Sequence, residues 1–175
     1  MDVLRGPHRW KAWYVDTAWL EEQKRSFKSF VSSNDVLTSW FLKDFDYGLM
    51  SVNFRGRLCD LDATYAGNYK KGLAFWPEDV TSPPQVREAL GSFRARREDT
   101  PRWPVRVGVA TNWASVYQEL RLKSCREVLH LPVLGDIQVN GAMIIFRAQK
   151  DKLAVILGKR GRLPTPKTGV AQRIC

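Results

Sequence analysis

The chain has 175 residues, a net charge of +10 and 44% apolar side chains, enough to bury a core, which excludes wholesale disorder. Its longest apolar runs, Ala142–Phe146 and Leu153–Leu157, are five residues each, and a membrane span needs roughly 20. The charge is uneven: residues 1–93 carry 12 bases against 12 acids, whereas residues 94–175 carry 16 against 6.

Residues 1–15 are polar yet hold Trp10, Trp13 and Tyr14, and read as an arm that docks its aromatics. Asp2, Arg5, His8, Arg9 and Lys11 leave no apolar leader, so secretion is not expected. Nor does Asp2 suit myristoylation, or Cys175 a prenylation box.

Residues 17–32 read as a helix capped by Asp16 or Thr17, with Glu21 and Glu22 in its first turn and Leu20, Phe27 and Val31 on one face. Ser33 or Asn34 starts a second helix to about Phe45, striped by Val36, Leu37, Trp40, Phe41 and Phe45 and stopped by Gly48. Period-two alternation over 49–61 predicts a half-buried strand with Arg55 and Arg57 on its outer face. Residues 67–72 form a loop and 73–76 a short strand. Pro83 and Pro84 open a helix spaced by Val86, Leu90 and Phe93, whose last turn holds Arg94, Arg96 and Arg97. Val105, Val107 and Val109 alternate as a strand, and Asn112 caps a short helix.

Four later stretches read as strands: Val128–Leu134, Ile137–Val139, Ala142–Arg147 and Lys152–Leu157. Asn140–Gly141 between two of them is a hairpin signal, and Gln149–Asp151 is a second turn. Residues 159–175 carry Lys159, Arg160, Arg162, Lys167 and Arg173 with no acid, and two prolines and two glycines predict an irregular tail. The fold class is α+β: an N-terminal helical pair, then an antiparallel sheet interrupted by helices, with one domain over 1–158 and a basic tail over 159–175.

Catalytic patterns are sparse. The phosphate-loop pattern G-x-x-x-x-G-K-[ST] does not occur; Gly67 and Gly72 have its spacing, but Leu73 stands where the Lys belongs. Asp60 and Asp62 read as a solvated strand end. His130 reads as a core or edge residue of a strand rather than a base for Cys125. Cys59, Cys125 and Cys175 are far apart and form no C-x-x-C, so neither a zinc knuckle nor a thioredoxin-type site is expected, and two histidines are too few for an ordinary metal site, so no metal or cofactor is expected. Anion binding is expected instead at Arg94, Arg96, Arg97, Lys159, Arg160, Arg162 and Lys167. Trp10 and Trp13 are candidates for base stacking or a membrane interface.

The order strand (Met50–Leu61), helix (Pro84–Arg97), strand (Val105–Ala110), late antiparallel strands, with the size and basic charge, resembles that of plant-infecting rhabdovirus matrix proteins. The resemblance implies a non-enzymatic, self-associating assembly protein, in the cell or the virion, with nucleoprotein and an anionic membrane surface as partners. The alternative is an RNA-binding ribosomal or ribonucleoprotein component.

Overall fold

The computed structural model describes residues 8–53, 64, 70–92, 106–132, 139–160, 166 and 168–174. Among them, the strands are β1 (His8–Val15), β2 (Tyr47–Asn53), β3 (Lys70–Phe75), β4 (Val107–Asn112), β5 (Arg121–Leu122), β6 (Cys125–Arg126), β7 (Gly141–Gln149), β8 (Lys152–Arg160) and β9 (Val170–Arg173). The helices are α1 (Thr17–Arg25), α2 (Ser33–Leu42) and α3 (Pro83–Ser92). Seven strands form one open sheet in the order β3-β2-β4-β7-β8-β1-β9, and β5 and β6 make a separate ribbon. The class is α+β, and the sheet is mixed: β2–β4 and β4–β7 are parallel, the other pairs antiparallel.

The helical pair is shorter than its apolar stripe suggests. Asp16 Oδ1 accepts from Trp19 N (3.1 Å) to start α1, which ends at Arg25, where Ser26 Oγ turns back to donate to Gln23 O (2.7 Å). Ser32 then caps α2 reciprocally: its Oγ accepts from Asp35 N, and Asp35 Oδ2 accepts from Ser32 N at 2.7 Å.

One sheet face packs Trp13, Met50, Val52, Phe75, Met143 and Val155 against Leu20, Val36, Leu37 and Val86 of the helices. The opposite face buries Ala12, Ile144, Phe146, Ala154 and Ile156 with Trp10, Tyr14 and Trp113. Burial on both faces is why 142–146 and 153–157 are apolar without alternation. Gly48 pairs with Gly108, and Gly108 with Gly141, so three glycines lie side by side across β2, β4 and β7. Leu42 and Phe45 lie directly on them: a Cβ at Gly108 would stand 2.5 Å from Phe45 Cδ2, and one at Gly48 2.9 Å from Leu42 Cδ1.

Several expectations need correction. Residues 8–15 are not an arm: β1 lies between β8 and β9, held by backbone pairing along its length. Asn140–Gly141 is no hairpin. Buried Asn140 donates its N–H to Val107 O (3.1 Å) and accepts from Val107 N through Oδ1 (2.7 Å), which starts β7 parallel to β4. The glycine is there because Phe45 leaves no room for a Cβ. The turn at Gln149–Asp151 does join β7 to β8. The tail boundary falls inside β8, and residues 170–173 form β9 on the free edge of β1, where Ile174 N donates to Ala12 O at 2.7 Å. Val128–Pro132 stand outside the sheet, although His130 N donates to Ala148 O (2.9 Å) at the end of β7.

Candidate functional site

The parallel strands β2 and β4 point their carboxyl ends the same way, the place where open sheets of this kind leave room for ligands. A cleft of about 440 Å³ opens there. One wall is the end of β2, Met50–Asn53; the others come from Ser32, Asn34 and Asp35 at the start of α2, Arg87, Leu90 and Gly91 on α3, and Asn112 and Ser115 after β4.

Asp35 is 1% exposed, and its charge is compensated locally: Oδ2 accepts from Arg87 Nε at 2.7 Å as well as from Ser32 N. That bond fixes the guanidinium at the cleft wall, with 44% of the Arg87 side chain still exposed. The Phe30 ring lies 4.7 Å from Arg87 Cζ and is itself 75% exposed. Asn112 Nδ2 donates to Asn34 Oδ1 (3.0 Å), while its own Oδ1 accepts from Ala114 N (2.8 Å).

A second hollow, about 610 Å³, adjoins this cleft through Ser32, which lines both. Its wall carries Lys24, Arg25 and Lys28 against one acid, Glu21. Lys24 Nζ donates to Glu21 Oε1 at 2.8 Å, and that bond holds the Glu21 carboxyl below the usual range. Arg25 and Lys28 are exposed. A neutral, partly apolar cleft and a cationic hollow thus lie side by side at Ser32. Among the described residues no group of three or more His, Cys, Asp or Glu could hold a metal ion.

Of the residues singled out from sequence, those that the structure describes lie away from this cleft. Arg94, Arg96, Arg97, Arg162 and Lys167 fall outside the described residues, as do Asp60 and Asp62. Lys159 and Arg160 end β8, where they pair with Arg9 and His8, so they belong to the sheet and not to a tail. Trp13 is 2% exposed in the core, which corrects its reading as a stacking or membrane residue. Trp10 is half-buried, its ring covering Gly158 across the β1–β8 pair. His130 is exposed outside the sheet with its ring against Tyr117 at 5.7 Å, so it is not a core residue of a strand, and Cys125 is exposed in β6.

The sequence did carry a signal for the second hollow: Lys24, Arg25 and Lys28 fall within five residues. The balanced total of residues 1–93 concealed it, because Glu21 and Glu22 sit one turn earlier. Arg87 and Asp35 are 52 positions apart, and no local pattern joins them.

No family model matches the sequence, and no curated protein matches it. Solved structures do. TRI101 of F. sporotrichioides, solved with coenzyme A and T-2, matches at 14% identity with a TM-score of 0.65, over 89% of this chain and 47% of that one. TRI101 of F. graminearum, solved with ethyl coenzyme A, matches at 13% identity and a TM-score of 0.60, over 89% and 46%. Vinorine synthase matches at 14% identity and 0.60, over 89% and 45%. The chain therefore has the fold of about half of each of these proteins. That finding overturns the matrix-protein resemblance. With it go the non-enzymatic assembly role, the ribosomal or RNA-binding alternative, and nucleic acid, nucleoprotein, membrane surface and self-association as the expected partners. Element order, size and charge misled because each is shared by unrelated α+β folds. Among the described residues no helix is long and apolar enough to cross a membrane.

Proposed function

We propose that this chain is the coenzyme-binding half of an acyltransferase that uses acyl-coenzyme A. The observation that carries the reading is the pair of hollows that share Ser32 as a wall. Coenzyme A has a flexible, partly apolar arm at one end and phosphates at the other. The cleft offers Met50, Val52 and Leu90 beside polar side chains, and the adjoining hollow offers Lys24, Arg25 and Lys28. Likeness in fold to proteins solved with coenzyme A supports the same reading.

In acyl transfer a hydroxyl or amine of the acceptor attacks the thioester carbonyl carbon, the C–S bond breaks, and the acceptor's proton ends on the thiol. The described cleft residues contribute donors and charge. None of them is a His, and Asp35 is buried and engaged with Arg87. The role assigned to this chain is therefore to hold the acyl donor, with the base outside this cleft.

Titration calorimetry with coenzyme A tests the proposal. The wild-type chain binds one equivalent, the affinity falls as salt is raised, and Lys28→Glu weakens it about tenfold. Absence of binding, or binding indifferent to both salt and Lys28→Glu, contradicts it.

A further inference from the structure

Resting on that reading, we infer that Asn34 is the residue that recognises an amide carbonyl on the pantetheine arm of coenzyme A, and that Asn112 is its positioning residue. The orientation of both side chains follows from one backbone group. The N–H of Ala114 can only donate, so the Asn112 atom 2.8 Å from it is the oxygen. Asn112 Nδ2 is thereby turned to Asn34, 3.0 Å away, and Asn34 must present its own oxygen in return. The amide nitrogen of Asn34 is left facing away from Asn112, and among the described residues it has no acceptor.

The neighbours of Asn34 are already committed. Ser32 and Asp35 cap each other, and Asp35 holds Arg87. Asn34 is half-buried and lines the cleft, facing a site whose other walls include the apolar Met50, Val52 and Leu90. A fixed N–H donor beside apolar walls suits a carbonyl oxygen on a narrow chain whose polar groups are separated by aliphatic segments. The pantetheine arm is such a chain, with two amide carbonyls along it. The nucleotide end of coenzyme A, directed to Lys24, Arg25 and Lys28, makes no use of this donor.

Two probes separate the ends: coenzyme A, and adenosine 3′,5′-bisphosphate, which lacks the arm. Asn34→Ser and Asn112→Ser are neutral changes, so neither perturbs the phosphates at long range. A serine at 112 can still accept from Ala114 N but cannot reach Asn34. Each variant is expected to weaken coenzyme A about tenfold and the bisphosphate less than about twofold. The double variant is expected to be no weaker than either single one, because both changes remove the same contact. Equal weakening of both probes, or no change in either, overturns the inference while leaving the coenzyme reading in place. Failure of the wild-type chain to bind either probe removes that reading and the inference together. Asn34→Ala carries the same comparison if a serine variant fails to fold.

Discussion

The two ends of the parallel strands β2, β4 and β7 are built in opposite ways. At their amino ends the sheet is closed: Gly48, Gly108 and Gly141 lie in one row, and Leu42 and Phe45 fill the space where their side chains would be. Asp46 and Arg106 clasp the same end, with Arg106 N donating to Asp46 Oδ2 (2.8 Å), its guanidinium reaching Oδ1 (3.0 Å) and Asp46 N donating to Arg106 O (3.0 Å). At the carboxyl ends of β2 and β4 the glycines give way to Ser51, Asn53 and Asn112, and the start of α2 stands off to leave the cleft. One helix thus touches both regions, its last residues seated tightly and its first residues bordering open space. Tight packing at one end fixes where the other end of the helix stands, which is how a site on a helix can be held without being filled.

Disturbing the closed end has the largest effect. Gly108→Val forces its side chain into Phe45 and is expected to cost about 3 kcal/mol in urea unfolding. At the open end Arg87→Met leaves the Asp35 carboxylate buried with Ser32 N as its one remaining partner among the described residues, and a loss of about 2 kcal/mol together with weaker coenzyme A binding is expected. The two ends differ here: Gly108→Val lowers stability while leaving the affinity of the folded fraction unchanged, and Arg87→Met lowers both.

The Asp46 clasp gives a smaller, pH-dependent effect. Hydrogen bonds from Arg106 hold the Asp46 carboxyl below the usual range. A carboxyl depressed in the folded state stabilises the fold above its unfolded pKa of about 3.9, and that contribution disappears as pH falls through the folded value. Because both side chains are exposed, Asp46→Asn is expected to cost about 1 kcal/mol or less at neutral pH. The difference from wild type should vanish in acid, which thermal unfolding at a series of pH values measures. A penalty that persists at the lowest pH would show that the clasp acts through shape and not charge.

Much of the fold can be read locally. The stripe of α2, the proline start of α3 and the turn at Gln149–Asp151 each depend on residues close in sequence, and each stands in the structure. What cannot be read locally is which strand lies beside which. Asn140–Gly141 has the chemistry of a hairpin turn, yet Val107, 33 positions away, takes the Asn140 side chain and makes the pair the start of a parallel strand. Likewise β1 and β9 are separated by most of the chain and meet at a sheet edge. The site follows the same rule. The cap at Ser32 is visible in the sequence, but the partners of Asp35 and Asn34 are Arg87 and Asn112, brought in by strand order alone.

Hydrogen exchange, resolved to short peptides with and without coenzyme A, tests the difference between the two ends most directly. Bound coenzyme A is predicted to slow exchange at residues 24–35 and 112–116 and to leave residues 42–48 and 106–108 unchanged. Protection confined to the closed end, or absent from both, would contradict the placement of the coenzyme at the carboxyl ends of β2 and β4.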